Sequence, residues 1–89
     1  MDKLALRAGN ILLGNAEGAP AIEVPLGWYH IAIQQDMNFC VTGAFYEMTL
    51  DDKPIFAYWR YQARAGQVLK MVRAKIGMYG YLCVQGGLS

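Results

Sequence analysis

The apolar positions of the first fifteen residues, MDKLALRAGNILLGN, repeat with the period of a helix. Leu4, Ala8 and Leu12 are four residues apart, so a helix would place them on one face. Asp2 is a favourable N-cap, and Gly14 is a typical residue just past a helix end because glycine adopts the left-handed conformation at little cost. The pattern predicts one N-terminal helix.

From residue 21 onward the pattern changes to short runs with a period of two, separated by glycine, proline and acidic residues. In WYHIAIQ, for example, Tyr29, Ile31 and Ile33 would face one side of a strand. The predicted extended segments are residues 21–26, 28–34, 38–43, 45–50, 55–61, 67–73 and 78–84. About seven short strands at this spacing are typical of sandwiches and barrels, so the predicted fold class is mainly β.

Turn residues suggest how some of these strands connect. The QDMN turn predicts that residues 28–42 form a hairpin. The DDKP sequence at 51–54 predicts a tight connection between two strands, in which short acidic side chains satisfy the local backbone. Pro25 cannot donate a ladder hydrogen bond, so we expect its segment at a sheet edge or a bulge.

Length and composition limit the chain to a single domain, since it has 89 residues and no internal boundary. Its residues are 55% hydrophobic and 17% charged, which is more apolar than an average globular protein. Two interpretations remain open: a dense β core, or an apolar surface that another domain, subunit or segment covers.

Charge and hydropathy exclude several function classes. The net charge is +1 and the basic residues are spread out, which does not favour nucleic-acid binding. The N-terminus lacks the apolar stretch of a signal peptide, and no run of 18 apolar residues could cross a membrane. We therefore expect a cytoplasmic protein.

The cysteines Cys40 and Cys83 each lie in an apolar run, NFCVTG and YLCVQG. Their surroundings predict buried thiols in a reducing compartment, with a disulfide between them as the less favoured alternative. No spacing of cysteine or histidine matches a zinc site, so no metal is expected.

Candidate chemical groups are few. His30 has no serine, cysteine or carboxylate partner at a known catalytic spacing, so a structural or surface role is favoured. Thr42-Gly43-Ala44 could bring the backbone close to a ligand, or could equally form a β-bulge.

Two further stretches carry candidate binding groups. Gly86-Gly87 could present N–H groups to an anion, but a simple exit from the core is favoured. The aromatic and basic cluster Tyr58-Trp59-Arg60-Tyr61 could stack on a ligand, although strand aromatics more often pack in cores.

Taken together, the short motifs resemble one known family in their order along the whole chain. They are MDKLALRAGNILLGN, with Gly9 where the family usually has alanine, then AIEVPLG, TGA, DDKPIFAYW, AGQVL and GMYGYLCVQGG. The chain resembles the family of the 5-oxoprolinase C subunit, also described as allophanate hydrolase subunit 2, as biotin-dependent carboxyltransferase, or as the antagonist of the Kip kinase inhibitor.

This resemblance implies a fold built from cyclophilin-like β-barrel subdomains, of which the chain would form part. It implies a protein that acts with homologues of the A and B subunits of the same complex to open the lactam of 5-oxoproline to glutamate. The chain itself would bind no cofactor, and ATP would be bound by the partner subunits. An alternative is a subunit of a biotin-dependent urea/allophanate-type carboxyltransferase, since relatives in urea carboxylase transfer a carboxyl group from carboxybiotin. A non-catalytic module that binds a Kip-inhibitor-like partner is a further alternative.

Family members have additional segments before MD and after GG that this chain lacks. We therefore expect residues 1–89 to form a single partial domain, as a truncated or split subunit that is inactive alone. Whether the chain is an enzyme in itself stays open. A degenerate, marginally folded product is the remaining alternative. The resemblance places these residues near the substrate: Asp2, Thr42, Gly43, Ala44, Gly86 and Gly87. No catalytic residue is assigned.

Overall fold

A computed structural model describes residues 7–9, 13–15, 21–43, 47–73 and 80–85 of the chain. Residues 7–9 are helical, and the strands are β1 (Ile22–Val24), β2 (Gly27–Ala32), β3 (Met37–Gly43), β4 (Glu47–Leu50), β5 (Lys53–Pro54), β6 (Tyr61–Ala63), β7 (Val68–Arg73) and β8 (Gly80–Val84). Sheet 1 has the order β1-β8-β3-β6 and sheet 2 the order β2-β7-β4-β5, with every pairing antiparallel. The prediction of a mainly β chain with an N-terminal helix is confirmed.

The main hydrophobic core lies between the two sheets. Phe39, Val41 and Leu82 from sheet 1 pack into one buried cluster with Leu69 and Met71 from sheet 2. Because side chains alternate along a strand, every second residue of β3 and β7 points into this layer. The sheets therefore pack face to face.

Sheet 1 is also covered on its other face. Cys40 and Cys83 form a second buried cluster with Tyr81 and with Leu13 from the N-terminal segment. β3 is therefore buried on both sides, which explains why NFCVTG reads as a nearly continuous apolar run rather than an alternating one.

The predicted hairpin of residues 28–42 is wrong. β2 pairs with β7, from Gly27 opposite Arg73 to Ala32 opposite Val68, whereas β3 pairs with β8 and β6 in the other sheet. Just past the end of β2, the N–H of Ile33 donates to the Gln67 carbonyl at 2.9 Å, which continues the pairing with the β7 side. The alternating pattern fixes which face of a strand is buried, but it does not select the neighbouring strand.

The predicted strand at 55–61 is also largely wrong. β6 begins only at Tyr61, and residues 55–60 form an irregular loop in which Tyr58 has φ 61°. The aromatic residues that favour strands are present, but a left-handed residue ends the extended conformation.

The DDKP connection is confirmed as a tight turn. Asp51 and Asp52 have φ values of 50° and 65°, as the two central residues of a primed hairpin turn require, and they join β4 to β5. The Asp51 carboxylate accepts the N–H of Val68 at 3.0 Å, so it caps a neighbouring strand rather than only the local backbone. Pro25 follows β1, which is an edge strand as predicted.

Candidate functional site

The candidate site centres on the end of β3, where two of the predicted site residues are described. Thr42 is completely buried, and its hydroxyl oxygen has no hydrogen-bond partner in the part of the chain that the structure describes. Its methyl group lies beside Gly9, since a Cβ added at Gly9 would stand 3.3 Å from it. Thr42 thus packs under the N-terminal segment and does not face open solvent.

Gly43 closes β3 in a conformation that favours glycine, with φ 95°. It lies opposite Gly80 of β8, so both strands lack side chains at this end of the pairing. Its N–H donates to the Tyr58 hydroxyl oxygen at 3.1 Å. The prediction that the backbone is approachable here agrees with this geometry, but the group that approaches is a tyrosine of the same chain.

Tyr58 reaches the end of β3 from the loop of residues 55–60. Its own N–H donates to the Val41 carbonyl at 2.7 Å, while its hydroxyl accepts from Gly43. The sequence showed Tyr58 only as one of a group of aromatics; nothing in the pattern indicated its positive φ or its position on Gly43. The contact of Tyr58 with Gly43 is therefore the part of this candidate site that the sequence did not indicate.

The aromatic and basic cluster of residues 58–61 divides into two parts. Tyr61 is half-buried, its ring centroid 6.0 Å from that of Phe39, and it belongs to the core. Trp59 is 66% exposed and Tyr58 45%, and neighbouring Phe56 is 70% exposed. The loop that brings Tyr58 to Gly43 therefore presents exposed aromatic side chains.

The other predicted site residues, Asp2, Ala44, Gly86 and Gly87, lie outside the described residues. Their roles stay predictions, as does the placement of the whole set near a substrate.

A depression of about 300 Å³ lies on the outer face of sheet 2, apart from the end of β3. It is lined among others by Trp28, His30 and Lys70, and Lys70 Nζ is 3.3 Å from a carboxylate oxygen of Asp52. His30 is exposed and opposite Lys70, in agreement with the predicted surface role. This open surface offers aromatic contact and mixed charge.

The thiols of Cys40 and Cys83 are both free and buried, which confirms that prediction. They lie directly opposite each other in β3 and β8, and the Cys40 sulfur donates to the Gly9 carbonyl at 3.3 Å. The hydrogen bond to Cys83, together with burial, raises the pKa of Cys40 far above its usual range. The same bond lowers the pKa of Cys83, against an opposing effect of burial.

Within the described ranges, no group of three or more histidine, cysteine, aspartate or glutamate side chains could hold a metal ion. Nor does any helix in those ranges have the length and apolar character needed to cross a membrane.

The family model for the carboxyltransferase domain, subdomain A and B, matches residues 1–89. The chain belongs to this carboxyltransferase domain family. Recognition from the ordered motifs is therefore confirmed.

Similar proteins span a range of functions. The chain is 85% identical over 87 residues to the 5-oxoprolinase C subunit of Haemophilus influenzae, covering 98% of the chain and 28% of that protein. It is 42% identical over its whole length to the 5-oxoprolinase C subunit of Escherichia coli, of which it covers 29%. The urea carboxylase structure from Kluyveromyces lactis superposes with a TM-score of 0.88 at 26% identity, covering 98% of the chain and 8% of that protein.

The carboxyltransferase-domain chain therefore spans less than a third of the length of the two 5-oxoprolinase proteins. Both names designate one subunit of a larger assembly, so these relatives function together with other subunits.

Proposed function

We propose that this chain contributes the Thr42–Gly43 region and its surrounding sheets to the C subunit of a 5-oxoprolinase. In that role it would act with homologues of the A and B subunits, which would bind the ATP, in opening the lactam ring of 5-oxoproline to glutamate. The observation that carries the proposal is the 85% identity to the Haemophilus influenzae protein across nearly the whole chain.

The geometry is compatible with chemistry on an amide. Gly43 brings a backbone N–H to the end of a strand, next to the exposed Tyr58 and without a side chain of its own. Backbone N–H groups stabilise oxygen atoms that gain negative charge when a carbonyl is attacked. A lactam carbonyl is such a group, so the strand end could serve as one part of a site that other segments complete.

An exchange of matching regions tests the proposal. The region of the Haemophilus influenzae C subunit that matches this chain is exchanged for the chain itself, and the resulting chimera is combined with the A and B subunits. We expect ATP-dependent loss of 5-oxoproline and formation of glutamate at a rate close to that of the unexchanged protein. A folded, assembled chimera without this activity would refute the proposal.

A second candidate function is carboxyl transfer to urea, dependent on biotin. It is favoured by the superposition on the Kluyveromyces lactis urea carboxylase at a TM-score of 0.88. The lower identity of 26% makes it the weaker proposal. Supplying the same chimera with a carboxybiotin-loaded carrier and urea separates the two, since only the second function predicts transfer of the carboxyl group and consumption of urea.

A further inference from the structure

We infer that Tyr58 is a ligand-responsive positioning residue: its hydroxyl oxygen holds the place of a ligand oxygen on the N–H of Gly43. The ligand is a compact molecule that carries a carbonyl or carboxylate oxygen on a planar group. The inference depends on the proposed function only for the choice of 5-oxoproline as the main probe.

The backbone of Tyr58 is the first observation. Among the described residues, three other than glycine have positive φ, and Asp51 and Asp52 are explained by the tight turn between β4 and β5. Tyr58, at φ 61°, lies in the turn of residues 57–58, and a bulky aromatic residue rarely adopts this conformation. Strained residues of this kind persist where the surrounding structure fixes them, and they concentrate at functional sites.

The hydrogen bonds of Tyr58 show what fixes it. Beyond the point where Phe39 pairs with Tyr61, β3 has no partner strand on its β6 side, although it stays paired with β8 on the other side. Tyr58 replaces that partner: its N–H donates to the carbonyl of Val41, and its hydroxyl accepts the N–H of Gly43. The left-handed turn is what allows one residue to satisfy both positions.

The acceptor that Gly43 has in this structure is a neutral phenol, at 3.1 Å. A carboxylate, or a carbonyl oxygen that gains charge, forms a stronger hydrogen bond with a backbone N–H than a neutral hydroxyl does. A ligand oxygen can therefore replace the Tyr58 hydroxyl. The displaced ring, already 45% exposed, stays next to the exposed Trp59 and can contact a planar ligand.

Tyr61 provides an internal comparison in the same loop. Its hydroxyl accepts the N–H of Phe56 at 3.0 Å, which is the same kind of bond. Its ring, however, packs against Phe39 in the core and is held there. The two tyrosines thus form equivalent hydrogen bonds, but the ring of Tyr58 is the more exposed of the two.

The test uses the chimera described above, labelled with ¹⁵N-glycine and assembled with its partner subunits. Titration with 5-oxoproline, and separately with acetate as a simple carboxylate, should shift the amide resonance of Gly43. Tyr58→Phe should shift that resonance without ligand and tighten 5-oxoproline binding several-fold, since no hydroxyl has to be displaced. Tyr61→Phe, the matched loss of one phenol acceptor, should leave the affinity unchanged within twofold.

The outcomes separate this inference from the proposed function. Turnover of 5-oxoproline with a Gly43 resonance that stays in place overturns the inference and leaves the function intact. If acetate shifts the Gly43 resonance and Tyr58→Phe selectively changes acetate binding, but 5-oxoproline is not turned over, the inference is supported and the proposed function is refuted. Equal effects of Tyr58→Phe and Tyr61→Phe on the affinity for 5-oxoproline also overturn the inference, as does a Gly43 resonance that shifts with neither probe. The titrations of the unmutated chimera do not depend on whether a variant folds.

Discussion

The sulfur of Cys83 lies where a side chain on Gly9 would begin. A Cβ built on Gly9 would collide with Cys83 Sγ and would stand 3.3 Å from the Thr42 methyl group. The helical segment therefore approaches sheet 1 as closely as it does because residue 9 has no side chain. The carbonyl of the same glycine accepts the thiol of Cys40, so Gly9 contacts both cysteines.

Replacing Gly9 with alanine should lower the free energy of unfolding by about 1–3 kcal/mol, because the added methyl group overpacks a closed interface. In a Cys83→Ala background the sulfur is gone, and the higher helix propensity of alanine, worth up to about 1 kcal/mol, should make the same change neutral or stabilising. Urea denaturation of the four proteins of this cycle measures both values. An equal cost of Gly9→Ala in the two backgrounds would contradict the contact.

The two thiols should differ in reactivity. Both are fully buried, so alkylation by iodoacetamide should be slow in the folded protein. As pH rises, Cys83 should react before Cys40, since their hydrogen bond lowers the pKa of Cys83 and raises that of Cys40. Peptide mapping by mass spectrometry after timed alkylation at several pH values measures the order.

Leu13 offers the control for that experiment. It is buried in the same cluster as the cysteines, so Leu13→Ala should speed alkylation of both without reversing their order. Faster reaction of Cys40 than of Cys83 in the folded protein would contradict the lowered pKa of Cys83 and the raised pKa of Cys40.

The adjacent aspartates of the β4–β5 turn should respond in opposite ways to substitution. Asp51→Ala removes the acceptor of the Val68 N–H, and we expect a loss of about 1–2 kcal/mol in unfolding free energy. Asp52→Gly relieves a left-handed residue and should raise stability by up to about 1 kcal/mol. The ion pair that it removes, with Lys70, is exposed and contributes little.

Thermal unfolding of these two variants provides the measurement. A loss of stability in Asp52→Gly similar to that in Asp51→Ala would mean that the exposed ion pair, and not the backbone conformation, dominates at this turn.

Thr42 should prove to be a packing residue. Its hydroxyl is buried without a partner in the described part of the chain, so Thr42→Val should raise stability by about 1 kcal/mol. Because the side chain packs under the N-terminal segment, we expect an unchanged KM for 5-oxoproline in the chimera. Thr49→Val is the matched control, since the hydroxyl oxygen of Thr49 is also buried without a partner but belongs to sheet 2.

A tenfold rise in KM for Thr42→Val alone would restore the substrate-binding role that the family resemblance implies. Equal and unchanged kinetics in both threonine variants would instead limit the candidate site, among the described residues, to the backbone of Gly43 and the loop of Tyr58.

The sequence predicted most strand positions because each strand carries its own pattern of buried and exposed residues. It did not predict that β2 pairs with β7 rather than with β3, because the alternating pattern of Tyr29 and Ile31 is the same whichever strand lies beside β2. The DDKP turn was predictable for the opposite reason, as it depends on a few adjacent residues with known turn preferences.

The site was predictable only in part. Glycine at position 43 suggested a close backbone approach, and the structure shows one. The approach of Tyr58 depends on a positive φ that no local preference of tyrosine indicates, and on the end of the β3–β6 pairing at Phe39. Such features arise from tertiary contacts, so no reading of neighbouring residues could supply them.

The strand order also determines when the protein can begin to fold during its synthesis. In sheet 1, β1 lies beside β8, and in sheet 2, β2 lies beside β7, so the first two strands pair with the last two. A ribosome would release β1 and β2 long before their neighbours exist, and contacts this distant in sequence form slowly. Until residues 68–84 emerge, the nascent chain exposes two strands without partners, which are natural binding sites for chaperones.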